Sequence, residues 1–523
     1  MAIGGFDAMW HQFFRLSHAS GLGLQDQIRQ SVVSAILEGR LPVGVPLPSS
    51  RRLADELSVA RNTVTLAYQR LVDEGYLISR DRSGHFVNEA IVGFRFELER
   101  EAPASPPTGP RWAERLRVRP SEQRNIIKRP DWQRFSYPFL YGQFDSTLFP
   151  THEWRDCCLK ELNALEVRGW APDLISRDDP GLIREVQSKV LPRRGVWATE
   201  DQILITVGAQ HALFLLADAL VGPQTVVGIE NPGYPDARNI FGVRSARIKP
   251  LSVDASGLVA GAEVRGCDYV YITPSHQCPT TVTMDLARRR ALLRLADEAD
   301  FILVEDDYES ETAFGGTPTP ALKSLDRNDR VVYVGSLSKV FAPGLRLGYI
   351  VAPQALIKEV RALRRLMLRH PSAFIQRSFA TFIARGHFDA LQRRVAAAHR
   401  ERAATLAEAL ARNLPQCRSV PICGGASCWV SGPDWLDATV LAHAAAERSI
   451  LIEPGEIFFA EEFPPRNQFR LGFSSIPKEC IAPGIEALAR VLADLAPSAA
   501  TRSGAPPRGT NGSSPVALSG RVE

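Results

Sequence analysis

The stretch VVYVGSLSKVFAPGLRLGYI, residues 331–350, decides the fold of most of this chain. It starts as a valine-rich apolar run, which predicts a buried strand, and the run ends in small residues followed by a single lysine, Lys339. Arg346 follows seven positions later. A lysine after a strand is by itself most often a solvated surface group. A functional role for Lys339 therefore depends on the groups that other parts of the chain supply.

Similar apolar runs recur upstream of this stretch, and longer helical patterns separate them. Such alternation predicts an α/β fold over about residues 136–495, with a mainly parallel sheet that helices cover on both faces. The runs are QILIT (202–206), TVVGIE (225–230), DYVYIT (268–273) and FILVE (301–305).

The segments that follow these strands carry complementary polar groups. In chain order they read VGAQ, NPGYP, PSHQCPTT, DDY and LSK. Because the carboxyl ends of strands in a doubly wound sheet gather along one edge, we expect these groups to converge on one pocket. A helix start, an aromatic ring, a carboxylate and a lysine are together what pyridoxal 5'-phosphate requires. The lysine forms the Schiff base, and the carboxylate keeps the pyridine nitrogen protonated.

The N-terminal part, residues 22–90, has a different pattern. LQDQIRQSVVSAIL, RRLADEL and RNTVTLAYQRLVDEG predict three helices, and YLISRDRSGHFVNEA predicts two short strands. This order is typical of a winged helix-turn-helix, whose third helix enters the major groove of double-stranded DNA. The candidate DNA-binding residues are Arg51 on the second helix, Arg61, Asn62, Thr63 and Thr65 at the start of the third, and Gly84 at the wing tip.

Composition adds further bounds. The 523 residues carry a net charge of +4, which is too small to indicate a charged binding partner. On the helix pattern alone, the alternative for residues 22–90 is a small helical domain whose polar face is only solvated. No apolar run approaches the ~18 residues of a membrane span, and the N-terminus lacks a secretory pattern. Eight scattered cysteines without zinc spacing predict reduced thiols in a cytoplasmic protein and no metal site.

Two segments are predicted to lie outside the folded units. Residues 91–135 contain the Pro-rich run REAPASPPTGPRW followed by a basic stretch, which predicts a linker. The linker is either a solvated connector or a secondary contact to DNA phosphates. Residues 496–523 are rich in Gly, Ser and Pro and predict a disordered tail.

These motifs resemble known families. The N-terminal unit resembles the GntR-type winged helix in LPSSR, RNTV and GYL…SGHFV, although Ala60 stands where that family usually has a Ser or Thr that helps to hold a phosphate. Residues 136–495 resemble a fold-type I aminotransferase, which implies a large domain with a smaller C-terminal α/β subdomain. The two parts in this order, with TPSHQ, EDDYES and SLSKVFAPGLRLGY, resemble the MocR-type (GabR-like) transcription regulators.

The aminotransferase resemblance implies a role for each matching residue. Lys339 is implied to form the Schiff base and is the candidate catalytic residue. Asp306 is implied to face the pyridine nitrogen and Tyr308 the phenolate oxygen, while Arg470 grips the ligand's carboxylate through a bidentate pair. Phosphate contacts are implied for Gly208, Ala209, Gln210, Ser336 and Arg346, and Tyr234 is implied to lie against the ring.

The loop TPSHQCPTT departs from the aminotransferase pattern. Cys278 stands where the enzymes usually have an asparagine bonded to the ring oxygen, and Thr281 replaces a glycine. We expect His276 or Gln277 to supply the missing bond, and the sequence does not distinguish the two.

The MocR-type resemblance implies a function. It implies a pyridoxal phosphate-dependent transcription regulator that binds DNA, senses an amine or amino acid, and forms a homodimer. The alternative is an active aminotransferase that carries a DNA-binding domain, since sensing and transamination share their first step. The altered TPSHQCPTT loop predicts slow turnover, which favours the regulator over the enzyme.

Overall fold

In the computed structural model the chain divides into two compact units, Met1–Glu114 and Arg115–Glu523. The described residues are 16, 21–41, 43–44, 46–92, 111–173, 177–245, 247–309 and 319–497. The predicted tail from residue 498 onward and residues 93–110 of the predicted linker lie outside them. Among the described residues, no helix is long and apolar enough to cross a membrane, and no cluster of His, Cys, Asp and Glu side chains is placed to hold a metal ion.

The N-terminal unit contains three helices followed by an antiparallel two-stranded wing. Its elements are α1 (Leu24–Leu37), α2 (Ser50–Leu57), α3 (Arg61–Asp73), β1 (Leu77–Arg80), β2 (Gly84–Val87) and α4 (Glu89–Val92). The apolar stripe of α3 is buried at Val64, Ala67, Tyr68 and Leu71, where it packs with apolar residues of α1 and α2. The predicted winged helix-turn-helix is therefore confirmed.

Helices α2 and α3 begin differently. The Ser49 side chain accepts a hydrogen bond from the Arg52 backbone N–H at 3.2 Å and caps α2. Ala60 occupies the same position before α3 and has no side-chain acceptor, so α3 begins without a stabilisation of about 1 kcal/mol.

The second unit is built on an eight-stranded, mainly parallel sheet. The strand order is β4-β11-β10-β9-β8-β5-β6-β7, in which β11 and β7 run antiparallel to their neighbours. The strands are β4 (Ile203–Thr206), β5 (Val227–Asn231), β6 (Ile248–Asp254), β7 (Gly257–Leu258), β8 (Tyr269–Ile272), β9 (Ile302–Asp307), β10 (Val331–Ser336) and β11 (Gly348–Val351). The predicted runs supply β4, β5, β8, β9 and β10.

Both faces of this sheet are covered. Along β10, Tyr333 packs into one apolar cluster while its neighbours Val332 and Val334 pack into another, because successive side chains point to opposite faces. The helices of this unit are α6 (Thr151–Glu161), α7 (Ala164–Trp170), α8 (Pro180–Glu185), α9 (Gly208–Leu220), α10 (Pro235–Arg244), α11 (Leu286–Ala299), α12 (Leu322–Leu325), α13 (Ser338–Phe341), α14 (Gln354–Leu368), α15 (Ala373–Ala384), α16 (His387–Asn413), α17 (Ala438–Glu447) and α18 (Lys478–Leu495). The short helix α5 (Trp112–Arg115) contains the chain position at which the two units divide.

A smaller α/β subdomain completes the unit, as the fold class predicts. A four-stranded antiparallel sheet in the order β12-β13-β16-β15 shares a core with the C-terminal helices. Its strands are β12 (Arg418–Ser419), β13 (Ser427–Ser431), β15 (Glu453–Pro454) and β16 (Gln468–Gly472), and β14 (Ile450–Leu451) pairs in parallel with β3 (Tyr137–Pro138). The β3–β14 pair ties the start of the unit to its end, and it brings residues 139–142 close to the sheet edge where the strand-end groups gather.

Candidate cofactor site and DNA-binding face

A cavity of about 230 Å³ lies at the carboxyl ends of the parallel strands. Ten of the residues predicted for the cofactor and the ligand line it, from segments that are more than 260 positions apart in the chain. They are Gly208, Ala209, Gln210, Tyr234, Asp306, Tyr308, Ser336, Lys339, Arg346 and Arg470.

Lys339 lies in the first turn of α13, directly after β10. Its Nζ is 4.5 Å from the centre of the Tyr141 ring and 5.2 Å from that of Tyr308. Burial lowers the pKa of the Lys339 ammonium, although the Glu309 carboxylate acts in the opposite direction. A buried amine with a lowered pKa is more readily neutral and nucleophilic, as a lysine that reacts with an aldehyde must be.

Asp306 ends β9 with one oxygen satisfied and one oxygen without a partner. Tyr271 donates its hydroxyl to Oδ2 at 2.8 Å, while Oδ1 is buried with no hydrogen-bond partner among the described residues. Burial raises the pKa of Asp306 to about 6, and the Tyr271 hydroxyl and the Lys339 charge lower it. A buried acceptor of this kind needs a donor, and a protonated pyridine nitrogen supplies one.

The opposite end of the cavity suits a phosphate. Helix α9 begins at Gly208, where φ is +77° and an added Cβ would stand 3.0 Å from Arg346 Nη2. Glycine therefore lets the guanidinium lie against the helix start, where backbone N–H groups point outward. Ser336 lines the same region. A helix start, a hydroxyl and an arginine together fit the phosphate of pyridoxal 5'-phosphate.

Two predicted aromatic residues are held by hydrogen bonds. The Tyr234 hydroxyl donates to Asp236 Oδ2 at 3.0 Å, and Gln210 Nε2 donates to the same oxygen at 3.3 Å. The Tyr308 hydroxyl donates to the His276 carbonyl at 2.8 Å. Both rings are thereby fixed at the wall of the cavity.

The loop after β8 presents Cys278 to the cavity rather than His276 or Gln277. The Gln277 amide is engaged within the loops, because Nε2 donates to the Pro232 and Cys278 carbonyls and Oε1 accepts from Thr280. His276 is buried behind the lining. Burial raises the pKa of the Cys278 thiol to about 12, which keeps it neutral.

The backbone at Thr281 has a conformation that favours glycine, the residue usual at this position in the aminotransferases. Its φ is 64°, in the left-handed region that costs a non-glycine residue roughly 1–2 kcal/mol.

Arg470 on β16 is fully enclosed. Its guanidinium carbon lies 4.3 Å from the Tyr141 ring centre and 4.7 Å from that of Phe458. Its Nε donates to Glu453 Oε2 at 2.9 Å, and Nη2 is buried with no hydrogen-bond partner among the described residues. The free edge of the guanidinium is therefore available to an anion in the cavity.

Sequence patterns missed several residues of this site, among them Tyr141, Lys128, Glu453 and Tyr271. Tyr141 and Lys128 come from segments without periodicity, and Glu453 reaches the site only because β15 pairs with β16. Tyr271 lies inside a predicted strand, and its phenol group was the one feature of the sequence that could have indicated a role in the site.

Most of the predicted DNA-binding residues are exposed. Arg51 and Arg61 are exposed in the first turns of α2 and α3, and neither has an ion-pair partner among the described residues. Asn62 and Thr65 are exposed as well, Thr63 is half-buried, and Gly84 begins β2 with a φ of +98°.

Comparison with known proteins agrees with both halves of this description. The family "Bacterial regulatory proteins, gntR family" matches residues 24–87, and "Aminotransferase class I and II" matches residues 182–488. The HTH-type transcriptional regulator TauR of Rhodobacter capsulatus is 42% identical over 471 residues, which cover 90% of this chain and 96% of that protein. The probable rhizopine catabolism regulatory protein MocR of Rhizobium meliloti is 29% identical over 503 residues, which cover 94% and 99%.

Solved structures agree with the fold of the second unit. LysN, an alpha-aminoadipate aminotransferase from Thermus thermophilus, superposes with a TM-score of 0.66 at 28% identity. The match covers 73% of this chain and 98% of that one.

The chain belongs to the aminotransferase class I and II family and, through its GntR domain, to the MocR-type transcription regulators. It is a pyridoxal phosphate-dependent, DNA-binding regulator. The predicted family, fold class and cofactor are confirmed.

Proposed function

We propose that the aminotransferase-like domain, residues 136–495, senses an amine or amino acid and passes this information through residues 91–135 to the DNA-binding domain, residues 22–90. The observation that carries the proposal is the unpartnered Nη2 of Arg470 in the cavity that Lys339 also lines. An amine reaches Lys339 while an acid group on the same molecule binds Arg470. The effector is therefore a small amine with a carboxylate or a sulfonate.

Each residue of the cavity has its own role toward the cofactor or the effector. When bound, pyridoxal 5'-phosphate supplies an aldehyde that reacts with amines. Lys339 provides the buried amine that the effector replaces, and Asp306 Oδ1 accepts a hydrogen bond from the protonated pyridine nitrogen. Tyr308 faces the ring oxygen, to which its hydroxyl donates once it releases the His276 carbonyl, and Tyr234 covers the ring. The bond expected from His276 or Gln277 stays a prediction, since neither side chain lines the cavity. Gly208, Ala209, Gln210, Ser336 and Arg346 hold the phosphate.

The regulator acts as a cytoplasmic homodimer. Exposed leucines on the second unit support a dimer, because large apolar side chains at a surface mark interfaces. They are Leu159, Leu162, Leu165 and Leu366, with 54–82% of their surface exposed. All eight cysteines are free, which supports a reducing compartment.

One compound is expected to shift both the visible spectrum of the loaded protein and its DNA binding over the same concentration range. The reason is that a ligand moves an equilibrium only through differential binding to the two states. A screen of amines and amino acids by absorption, followed by DNA-binding titrations with promoter fragments from the genomic neighbourhood, measures this. Lys339→Ala should lose the response. Rapid keto-acid formation without any ligand effect on DNA binding would instead identify an aminotransferase.

Two arginines are expected to differ in their effect on DNA binding. Arg61→Ala should cost about 1–3 kcal/mol and relax sequence preference if Arg61 reads a base. Arg51→Ala should weaken all sequences alike and reduce the salt dependence if Arg51 contacts phosphate. Equilibrium binding at several salt concentrations separates the two effects.

Arg70→Ala is the matched control, because Arg70 lies at the far end of α3 and pairs with Asp26 and Glu74. DNA affinity that is unchanged in both Arg51→Ala and Arg61→Ala would rule out this recognition surface.

A further inference from the structure

The segment just before the aminotransferase-like domain borders the cofactor cavity. Residues 123–128, here called the strap, are anchored at Gln123 and Arg124. Asn239 Nδ2 donates to the Arg124 carbonyl at 2.9 Å, and Arg124 Nη2 donates to the Glu456 carbonyl at 3.0 Å. The other end of the strap supplies Ile126 and Lys128 to the cavity lining. A segment that the sequence predicts as linker thus forms part of the ligand site.

Lys128 lies close to both cations of the proposed effector site. An added Cβ at Gly142 would stand 3.4 Å from Lys128 Nζ and 3.9 Å from Lys339 Nζ, so both amines lie on the side of this glycine where a side chain would be. The Tyr141 ring centre is 5.7 Å from Lys128 Nζ and 4.3 Å from the Arg470 guanidinium carbon. Three positive groups therefore surround one tyrosine.

Among the described residues, the Lys128 ammonium is not held in an ion pair, although the carboxylates of Glu453 and Asp236 act on it. Lys128 donates to the Tyr141 carbonyl and has no ion-pair partner in the described part of the chain. Glu453, the carboxylate that most strongly raises the pKa of Lys128, already accepts from Arg470 Nε and from the Tyr141 N–H. Burial lowers the pKa of Lys128 to about 8; Glu453 and Asp236 raise it, and Arg470 and Lys339 lower it further. Two N–H groups of the ammonium stay available to an anion.

We propose that Lys128 is a second ligand-recognition residue, which binds the acid group of the effector together with Arg470. The proposal rests on the proposed function, in that an amine with an acid group enters this cavity. It assigns a role in ligand specificity to Lys128, which does not follow a strand of the eight-stranded sheet. It also gives the effector a direct contact with the chain segment that leads back to the DNA-binding domain.

The test uses the full-length, cofactor-loaded protein with methanesulfonate and acetate as probes, because neither needs to react with the cofactor. The readout is the pH midpoint of the visible absorption change. Binding of either anion should raise this pH midpoint in the wild-type protein, since a negative charge nearby favours the protonated form of the Lys339 nitrogen. Lys128→Gln retains an N–H donor for the Tyr141 carbonyl but removes the charge. It should need at least about tenfold more anion for the same shift.

Lys128→Arg keeps the positive charge and should keep the anion effect. Lys189→Gln is the control: Lys189 lies on the surface and pairs with Glu185, so its loss should leave the anion effect as in the wild type. A Lys128→Gln protein that responds like wild type would overturn the proposal. A wild-type protein that responds to neither anion would overturn it as well.

Three amines of similar length separate this proposal from the proposed function: β-alanine, 2-aminoethanesulfonate and ethanolamine. Lys128→Gln should weaken the spectral response to the two acidic amines and leave that to ethanolamine unchanged. An equal loss for all three would mean that Lys128 only holds the strap in place, which contradicts the proposal. A wild-type protein that responds to none of the three counts against the proposed function, while the anion titration still decides the role of Lys128.

Discussion

Lys339→Ala protein saturated with pyridoxal phosphate is expected to lack the yellow band of the wild type, and borohydride should fix no cofactor to it. The effect is complete rather than graded, because a covalent bond needs an amine at that position. The other lysine that lines the cavity, Lys128, donates to the Tyr141 carbonyl. Absorption spectra and peptide mapping after borohydride reduction measure the outcome.

The same variant should still bind the cofactor without a covalent bond. The carboxylate of Asp306 and the groups around Arg346 do not depend on Lys339 for their position, since they belong to β9 and to the loop before β11. Lys189→Gln, a surface change, is the control and should give wild-type spectra. Cofactor fixed by borohydride to a peptide other than that of Lys339 in the wild-type protein would contradict the assignment.

Arg470→Met is expected to destabilise the second unit by about 3–5 kcal/mol, because it leaves the buried Glu453 carboxylate without its ion pair. Both side chains are enclosed, so water cannot replace the lost partner. Thermal unfolding of the loaded protein should show a lower midpoint. The double variant Arg470→Met/Glu453→Gln should recover most of the loss, since it removes the uncompensated charge together with its partner.

Arg466→Ala provides the control for this experiment. Arg466 pairs with Asp437 at 3.0 Å on the surface, with 68% of its side chain exposed, and its removal should cost no more than about 1 kcal/mol. If Arg470→Met and Arg466→Ala are equally mild, the Arg470–Glu453 pair does not contribute to stability as described. Where Arg470→Met protein is too unstable to load, Arg470→Lys retains a positive charge and allows the ligand titrations.

The sequence alone determined the two domain types and the end of the sheet at which chemistry occurs. Strand runs and the polar groups directly after them are local in the chain, and a parallel sheet necessarily brings such strand ends to one edge. The acidic segment at the end of β9 and Lys339 after β10 could therefore be assigned to one pocket without any knowledge of distances, and the family resemblance then singled out Asp306 and Ser336. The apolar stripe of α3 was likewise readable, because helical periodicity records which face is buried.

Only the tertiary structure decided which other groups share that pocket. Lys128 and Tyr141 lie in segments without periodicity, and Glu453 reaches Arg470 through the pairing of β15 with β16. The loop after β8 shows the same limit, since the hydrogen bonds that engage Gln277 within the loops leave Cys278 facing the cavity. Contacts between residues far apart in the chain depend on how the folded layers pack, and no local pattern encodes that packing.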